Sequence, residues 1–294
     1  MPTSRSPIAP LLIALLCAIW GSTWFGIRIC LHDQPPLTSA ALRFLLAGLA
    51  MAALAPRLRR FDTAPPPPRW LWLTAGATSF AGSYGILYAA ETVVPSGIAA
   101  VLWAIFPLLM AGSGVLVLGE RIAPRQWLGF VVAFSGIVAV FGGNLGSTDA
   151  KSLPWALLIL LSPIVSALGT TLIKKFGSGT SSVLLNRNGM LFGALLLGAA
   201  AVLVEDPRTI VWTWPAVLAT LYLALFGTAL SFGVYFWLLR TAPASQLALI
   251  SYVTPVLAML LGAAVGDGEA DAMAWVGTAL VVTGVALVVR KPQR

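Results

Sequence analysis

Apolar residues run through this chain in long unbroken stretches divided by short polar joints. Ten such stretches stand out, at 8–28, 37–55, 70–90, 94–118, 125–143, 153–173, 182–204, 214–238, 243–266 and 272–290. They are continuously apolar, without the alternation that a transmembrane β-barrel requires. Roughly 20 apolar residues in a helix cross a hydrocarbon layer of about 30 Å. The pattern predicts an all-α polytopic membrane protein with ten transmembrane helices and short loops, leaving little chain for a soluble domain.

The ten stretches form two sets of five. Pro95 recurs as Pro243, Pro107 as Pro255, Trp127 as Trp275, Gly129 as Gly277 and Gly136 as Gly284, each about 148 residues on. The run Gly21-Ser22-Thr23 returns as Gly169-Thr170-Thr171. Residues 1–145 and 146–294 are therefore read as two copies of one unit. An odd number of spans per copy forces the copies into opposite orientations, so the chain is predicted to be two inverted five-helix repeats. That duplication is a ground plan of membrane carriers.

Composition agrees, at 59% hydrophobic and 10% charged residues with mean hydropathy +0.91. Loops and tails on one predicted side carry Arg5, Arg57, Arg59, Arg60, Arg69, Arg121, Arg125, Lys174, Lys175, Arg187, Arg240, Arg290, Lys291 and Arg294. The other side has only Arg28, Lys151 and Arg208, and gathers Asp33, Asp149, Glu205, Asp206, Asp267, Glu269 and Asp271. Lys and Arg in short loops stay cytoplasmic, so both termini are predicted inside. The expected location is a plasma membrane that the chain crosses many times. The net charge of +8 then reads as a topology signal and a match to anionic lipid heads. The lipid bilayer is the expected partner. Nucleic acid is not, because no folded basic surface is predicted outside the membrane.

Several chemistries are excluded. Cys17, Cys30 and the single histidine, His32, do not make a metal-ligand set. A disulfide within one straight helix is ruled out by geometry. The first stretch has no small-residue cleavage site and is read as a retained helix. The segment 176–181 resembles a phosphate loop but lacks the Gly-Lys-Ser/Thr ending and follows a span rather than a strand, so it reads as a turn. No paired acids, metal set or activated nucleophile argues for an enzyme, and no cofactor is expected.

Prolines inside spans are more informative. Pro107 and Pro255 hold equivalent places in the fourth and ninth stretches, and Pro163 lies within the sixth. Each removes a backbone donor and frees a carbonyl about one turn earlier, so each is an expected helix kink. The freed group must face protein or a watery cavity. The pairs Gly189/Gly193 and Gly262/Gly266 have the four-residue spacing that lets helices approach closely, within the bundle or at a dimer seam. The Pro65–Pro68 run predicts a stiff extended connector between the second and third spans.

Intramembrane charge is costly and therefore points to function. Arg43, about two turns into the second stretch, can hold a substrate carboxylate through its planar fork, can snorkel to an interface, or can hydrogen-bond to neighbouring helix ends. Glu91 and Arg240 close the third and eighth stretches at roughly equivalent points, and no carboxylate sits mid-span. Antiport that depends on a buried titratable carboxylate is thereby disfavoured. Tyr84 and Tyr88 share one helix face, and Trp103 lies beside Pro107; these can stack on planar or apolar groups, or simply pack. Ser22, Ser162, Ser251 and Thr254 can add hydrogen bonds. Trp70, Trp72, Trp127, Trp155, Trp212, Trp214 and Trp275 sit at span ends as an interfacial belt.

The run Trp20-Gly21-Ser22-Thr23-Trp24, the Pro107 region, and Gly119-Glu120-Arg121 followed by Trp127, Gly129 and Gly136 resemble the EamA family of the drug/metabolite transporter superfamily. Gly268-Glu269, Trp275, Gly277 and Gly284 resemble the same unit again, so the resemblance covers essentially the whole chain. It is most similar to the YddG-type bacterial exporters of aromatic and other amino acids. The resemblance implies ten helices, cytoplasmic termini and a central cavity onto which Trp20, Tyr84, Tyr88, Trp103, Ser162 and Tyr252 face. The mid-span glutamate of the small four-helix multidrug relatives is absent from the first span, so their proton antiport is not carried over. The expected function is a membrane carrier that exports aromatic and other neutral amino acids and similar small metabolites by alternating access, as a monomer or weak homodimer. The alternatives are a carrier of nucleotide sugars or phosphorylated metabolites, for which the cavity cations are few, and a channel or scaffold.

Overall fold

The computed structural model describes residues 8–118, 123–147, 153–241, 244–266 and 272–289. Those residues form helices joined by short turns. Two long helices, α1 (Ala9–Asp33) and α2 (Pro36–Leu58), open the chain. The third apolar stretch is built in three pieces: α3 (Arg69–Ala75), a π-helical segment (Gly76–Gly82) and α4 (Ser83–Glu91). The fourth is split into α5 (Ser96–Trp103) and α6 (Phe106–Leu118), and α7 (Pro124–Ser147), α8 (Leu153–Phe176) and α9 (Ser182–Val204) follow. The eighth repeats the plan of the third, with α10 (Trp214–Ala224), a π segment (Leu225–Leu230) and α11 (Ser231–Thr241). The last two helices are α12 (Ala244–Val265) and α13 (Ala272–Val289). Among the described residues, six helical stretches are long and apolar enough to cross a membrane, and 124–140, 253–265 and 272–287 are shorter apolar helices.

The three prolines behave differently. Before Pro107 the helix is interrupted at Ala104 and Ile105. The Ala104 amide closes α5 on the carbonyls of Ala100 and Val101, and α6 restarts at Phe106. Pro107 then sits in the first turn of α6, where a missing N–H costs nothing. Pro163 and Pro255 lie inside α8 and α12, which run through them. Gly266, read above as half of a packing pair with Gly262, instead follows the end of α12 with φ +73°. It is a left-handed residue beyond a helix terminus, a conformation that glycine adopts without strain.

The chain divides into two compact units whose limits fall within α1, between α4 and α5, and within α8 and α11: Met1–Phe25, Val93–Leu160 and Val234–Arg294 form one, and Gly26–Thr92 with Leu161–Gly233 the other. In the first unit α7 packs along α13. A Cβ on Gly277 would lie 2.6 Å from the Gly136 carbonyl oxygen, and one on Gly284 would lie 2.5 Å from that of Gly129. The residue order makes the pair antiparallel. Elsewhere in this unit Gly97 of α5 abuts Met259 of α12. Ile13, Leu16 and Cys17 form a core with Leu238 and Ile250, flanked by Trp20 and Tyr235.

In the second unit α2 packs on α9, also antiparallel, and each helix is capped by an acid that follows the other. Leu37 and Thr38 at the start of α2 donate their amides to the Glu205 carboxylate at 2.6 and 2.8 Å. At the start of α9 the Val183 amide and the Ser181 hydroxyl donate to Asp62 Oδ2 at 3.0 and 2.8 Å. Each acid satisfies donors that the helix cannot pair internally and meets the positive end of its dipole. The proline connector is tied to the same place, since the Ser181 amide donates to the Pro65 carbonyl at 2.8 Å. Gly189 and Gly193 admit the first π segment: a Cβ on Gly193 would meet Phe80 Cβ at 2.6 Å. The two π segments occupy matching places in the two copies, about 148 residues apart.

Leu11, Leu49, Leu116, Val202 and Leu203 are among many large apolar side chains left exposed. Such surface is a liability in water and is the expected lipid face of a membrane helix.

Candidate functional site

Arg43 lies on the inner face of α2 and is only 2% exposed. Its surroundings explain how a guanidinium is tolerated there. Nε donates to the Thr228 hydroxyl at 2.9 Å and Nη1 to the Tyr88 hydroxyl at 3.3 Å. The guanidinium carbon lies 4.9 Å from the centroid of the Tyr84 ring and 5.6 Å from that of Phe44. Two neutral oxygens and two ring faces thus surround the cation, a favourable but uncharged environment. Among the described residues no carboxylate forms an ion pair with it. The guanidinium is buried and hydrogen-bonded to neighbouring helices, the packing role open to it in the sequence, rather than turned out to an exposed surface.

Aromatic rings extend the site. Phe44 contacts Tyr84 edge-on at 4.8 Å and Phe80 at 5.3 Å, and Phe80 in turn meets Phe232 at 6.1 Å. Tyr84 and Tyr88 lie one turn apart with ring centroids at 6.5 Å. Ser162 of α8 is fully buried, donates to the Ser83 carbonyl at 2.8 Å, and lies 2.9 Å from the Ser83 hydroxyl. Arg43, Tyr84, Tyr88 and Ser162 therefore all belong to the second unit.

The remaining candidates lie in the first unit. Trp20 packs against Tyr235 at 5.5 Å. Trp103 stacks on Phe106 at 5.0 Å, just where the helix breaks before Pro107, and meets Trp24 edge-on at 6.4 Å. The Ser22 hydroxyl donates to the Ala18 and Ile19 carbonyls of its own helix. The side chains of Ser251 and Tyr252 lie outside the described residues.

Sequence reasoning missed Thr228, Phe44, Phe80 and Phe232. The available signal was Arg43 itself: a buried guanidinium needs acceptors and ring faces, which must come from apolar stretches carrying hydroxyls and aromatics. The offset then points from Tyr84 to Phe232 and from Phe80 to Thr228. Glu91, placed above at the end of a span, is in fact completely buried, one turn past Tyr88. The Arg28 guanidinium donates to its backbone carbonyl at 2.5 Å. A buried carboxylate is therefore present at the end of α4, so the ground on which the sequence disfavoured antiport does not hold.

A membrane-embedded bundle of apolar helices with an internal repeat and a buried cation defines the class of polytopic transport proteins. Two stretches, residues 7–142 and 153–290, match the EamA-like transporter family, and the chain belongs to that family. It is 33% identical over 289 residues to the uncharacterized inner membrane transporter YedA of Escherichia coli K12, covering 96% of this chain and 91% of that one. It is 25% identical over 285 residues to a probable amino-acid metabolite efflux pump of the same organism, covering 93% and 92%. A crystal structure at 21% identity superposes with a TM-score of 0.69 over 97% of this chain and 96% of that one, a likeness of fold. The chain is a multi-pass protein of the inner membrane and a member of a transporter family rather than an enzyme family.

Proposed function

We propose that this protein exports aromatic and other neutral amino acids, and similar small metabolites, by alternating access. The observation that carries the reading is Arg43: a buried guanidinium held by the Thr228 and Tyr88 hydroxyls and by ring faces, with no acidic ion-pair partner among the described residues. A substrate carboxylate supplies the missing anion, and the rings of Tyr84 and Phe44 supply apolar contact. Tyr88 and Ser162 complete the proposed substrate contacts in this unit, and Trp20, Ser22, Trp103, Ser251 and Tyr252 are the proposed contacts elsewhere. The name of the E. coli efflux pump relative points the same way.

The machine we propose has ten crossings, built as inverted repeats 1–145 and 146–294 with both termini cytoplasmic, working as a monomer or weak homodimer. The antiparallel pairing of α2 with α9 and of α7 with α13, which are equivalent stretches of the two copies, supports the inversion. Pro107, Pro163 and Pro255 are the proposed bending points. A phosphorylated or nucleotide-sugar substrate is the weaker reading, because such a ligand needs several converging cations and the apolar stretches supply few.

Counterflow in proteoliposomes with labelled Phe, Trp, Thr and a sugar phosphate tests the proposal. Saturable, trans-stimulated amino-acid flux is expected. Absence of saturable flux for every amino acid refutes it, and flux without counterflow indicates a channel.

A further inference from the structure

Arg43 is aimed by a distortion of the helix opposite. The π segment Leu225–Leu230 carries Thr228, whose hydroxyl donates to the Leu223 carbonyl five residues back at 2.8 Å. A threonine hydroxyl has one proton and two lone pairs. With the proton committed to Leu223, the oxygen presents only acceptor density, and the Arg43 Nε–H occupies it at 2.9 Å. Ser231 repeats the device one turn on, donating to the Phe226 carbonyl at 2.6 Å. Hydroxyls that bond five residues back fit the wide π turn, which thereby fixes both the place and the polarity of Thr228.

The other copy shows what is particular about this arrangement. Its π segment, Gly76–Gly82, carries Phe80 at the position matching Thr228, and Phe80 packs on Phe44 at 5.3 Å. The neighbouring residues Arg43 and Phe44 are thus each met by one of two equivalent π segments, one polar and one aromatic. Tyr88, which takes Nη1, follows the first of them on α4.

We propose that Thr228 is a positioning residue for carboxylate recognition: the π segment Leu225–Leu230 holds its hydroxyl against Nε so that the guanidinium is presented to the substrate carboxylate in one orientation. This rests on the reading of Arg43 as the carboxylate site. Thr228 touches Arg43 and confers selectivity for carboxylated over decarboxylated ligands through it.

The test is Phe counterflow in proteoliposomes of the full chain, with inhibition by phenethylamine, which lacks the carboxylate. Thr228→Val keeps the side-chain volume and removes the hydroxyl. It should raise the KM for Phe about tenfold or more, the loss expected for a hydrogen bond from a charged donor, while leaving the maximal rate and the inhibition by phenethylamine unchanged. Thr228→Ser should restore the wild-type KM. An unchanged KM, an equal loss toward both ligands, or no rescue by Ser overturns the proposal. Should the wild-type protein carry no amino acid, the carboxylate reading falls on its own. The positioning is then decided in the detergent-solubilised full chain labelled with 15N-arginine, where the Arg43 Nε–H signal is assigned by its loss in Arg43→Lys. Proton exchange about tenfold or more faster in Thr228→Val than in wild type and Thr228→Ser is expected for a lost hydrogen bond of this kind, and unchanged exchange overturns it.

Discussion

Gly136 and Gly277 meet backbone to backbone: a Cβ on Gly277 would lie 2.6 Å from the Gly136 carbonyl oxygen, and one on Gly136 would lie 2.7 Å from that of Gly277. Gly277 is the second-copy counterpart of Gly129, and Gly284 is that of Gly136. The contact of Gly284 with Gly129 is therefore the same contact seen from the other copy. Glycines that mark the repeat in sequence are the ones on which equivalent helices cross.

Side chains at these positions should be expelled. Gly277→Leu pushes a branched side chain into the α7 backbone, which cannot yield as a flexible side-chain tip would. A cost of about 1–3 kcal/mol or more is expected for such overpacking. Gly112→Ala on α6 is the control, since a Cβ there meets nothing within 4 Å. Thermal unfolding in detergent should show a lower Tm and loss of the monodisperse species for Gly277→Leu alone.

The reciprocal caps of the α2–α9 pair should be separable. Asp62→Ala leaves the Val183 amide and Ser181 hydroxyl of α9 without their acceptor, whereas Glu205→Ala exposes the Leu37 and Thr38 amides of α2. Each should cost about 1–2 kcal/mol, the upper range for a cap. Hydrogen exchange should quicken at the start of α9 in the first variant and at the start of α2 in the second. Exchange that quickens equally at both ends in either variant would mean that the caps act only through global stability.

Long apolar runs and offset glycines made the helices legible in the sequence, because hydrophobic length and close backbone approach depend on residue type alone. The π segments were not legible. Gly76–Gly82 and Leu225–Leu230 contain ordinary span residues; the first packs through Phe80 on Gly189 and Gly193, and the second is accompanied by hydroxyls bonded five residues back. Arg43 was found because a charge in an apolar run is conspicuous. Thr228 was hidden because a hydroxyl there is unremarkable until its partner is known. Asp62 and Glu205 were similarly hidden, since a cap joining distant loops leaves no local spacing to read.

Trp103 and Trp127 make a contrast in which burial sets the outcome. Trp103 stacks on Phe106 where α5 ends, whereas Trp127 is 60% exposed near the start of α7. Trp103→Ala should raise the KM for Trp and Phe by several-fold more than Trp127→Ala, whose effect should be confined to membrane insertion. The magnitude follows from roughly 0.5–1.5 kcal/mol for a lost aromatic pair beyond its buried area. Equal effects on transport would place Trp103 outside the site.

Arg43 separates a structural from a recognition role most sharply. A buried cation without an acidic partner contributes little to stability, and an apolar side chain of similar length is often as well tolerated. Arg43→Met should therefore fold, with Tm lowered by no more than about 5 °C. Truncating one member of a buried charge pair costs at least roughly 2 kcal/mol, or about thirty-fold in affinity. The KM for Phe should rise by that factor or more. Arg43→Lys should not rescue it, because a single ammonium cannot bond Thr228, Tyr88 and a carboxylate with the geometry of a planar fork. Phenethylamine, lacking the carboxylate, should inhibit the wild type and both variants equally. Substrate affinity retained in Arg43→Met would assign the guanidinium to packing alone.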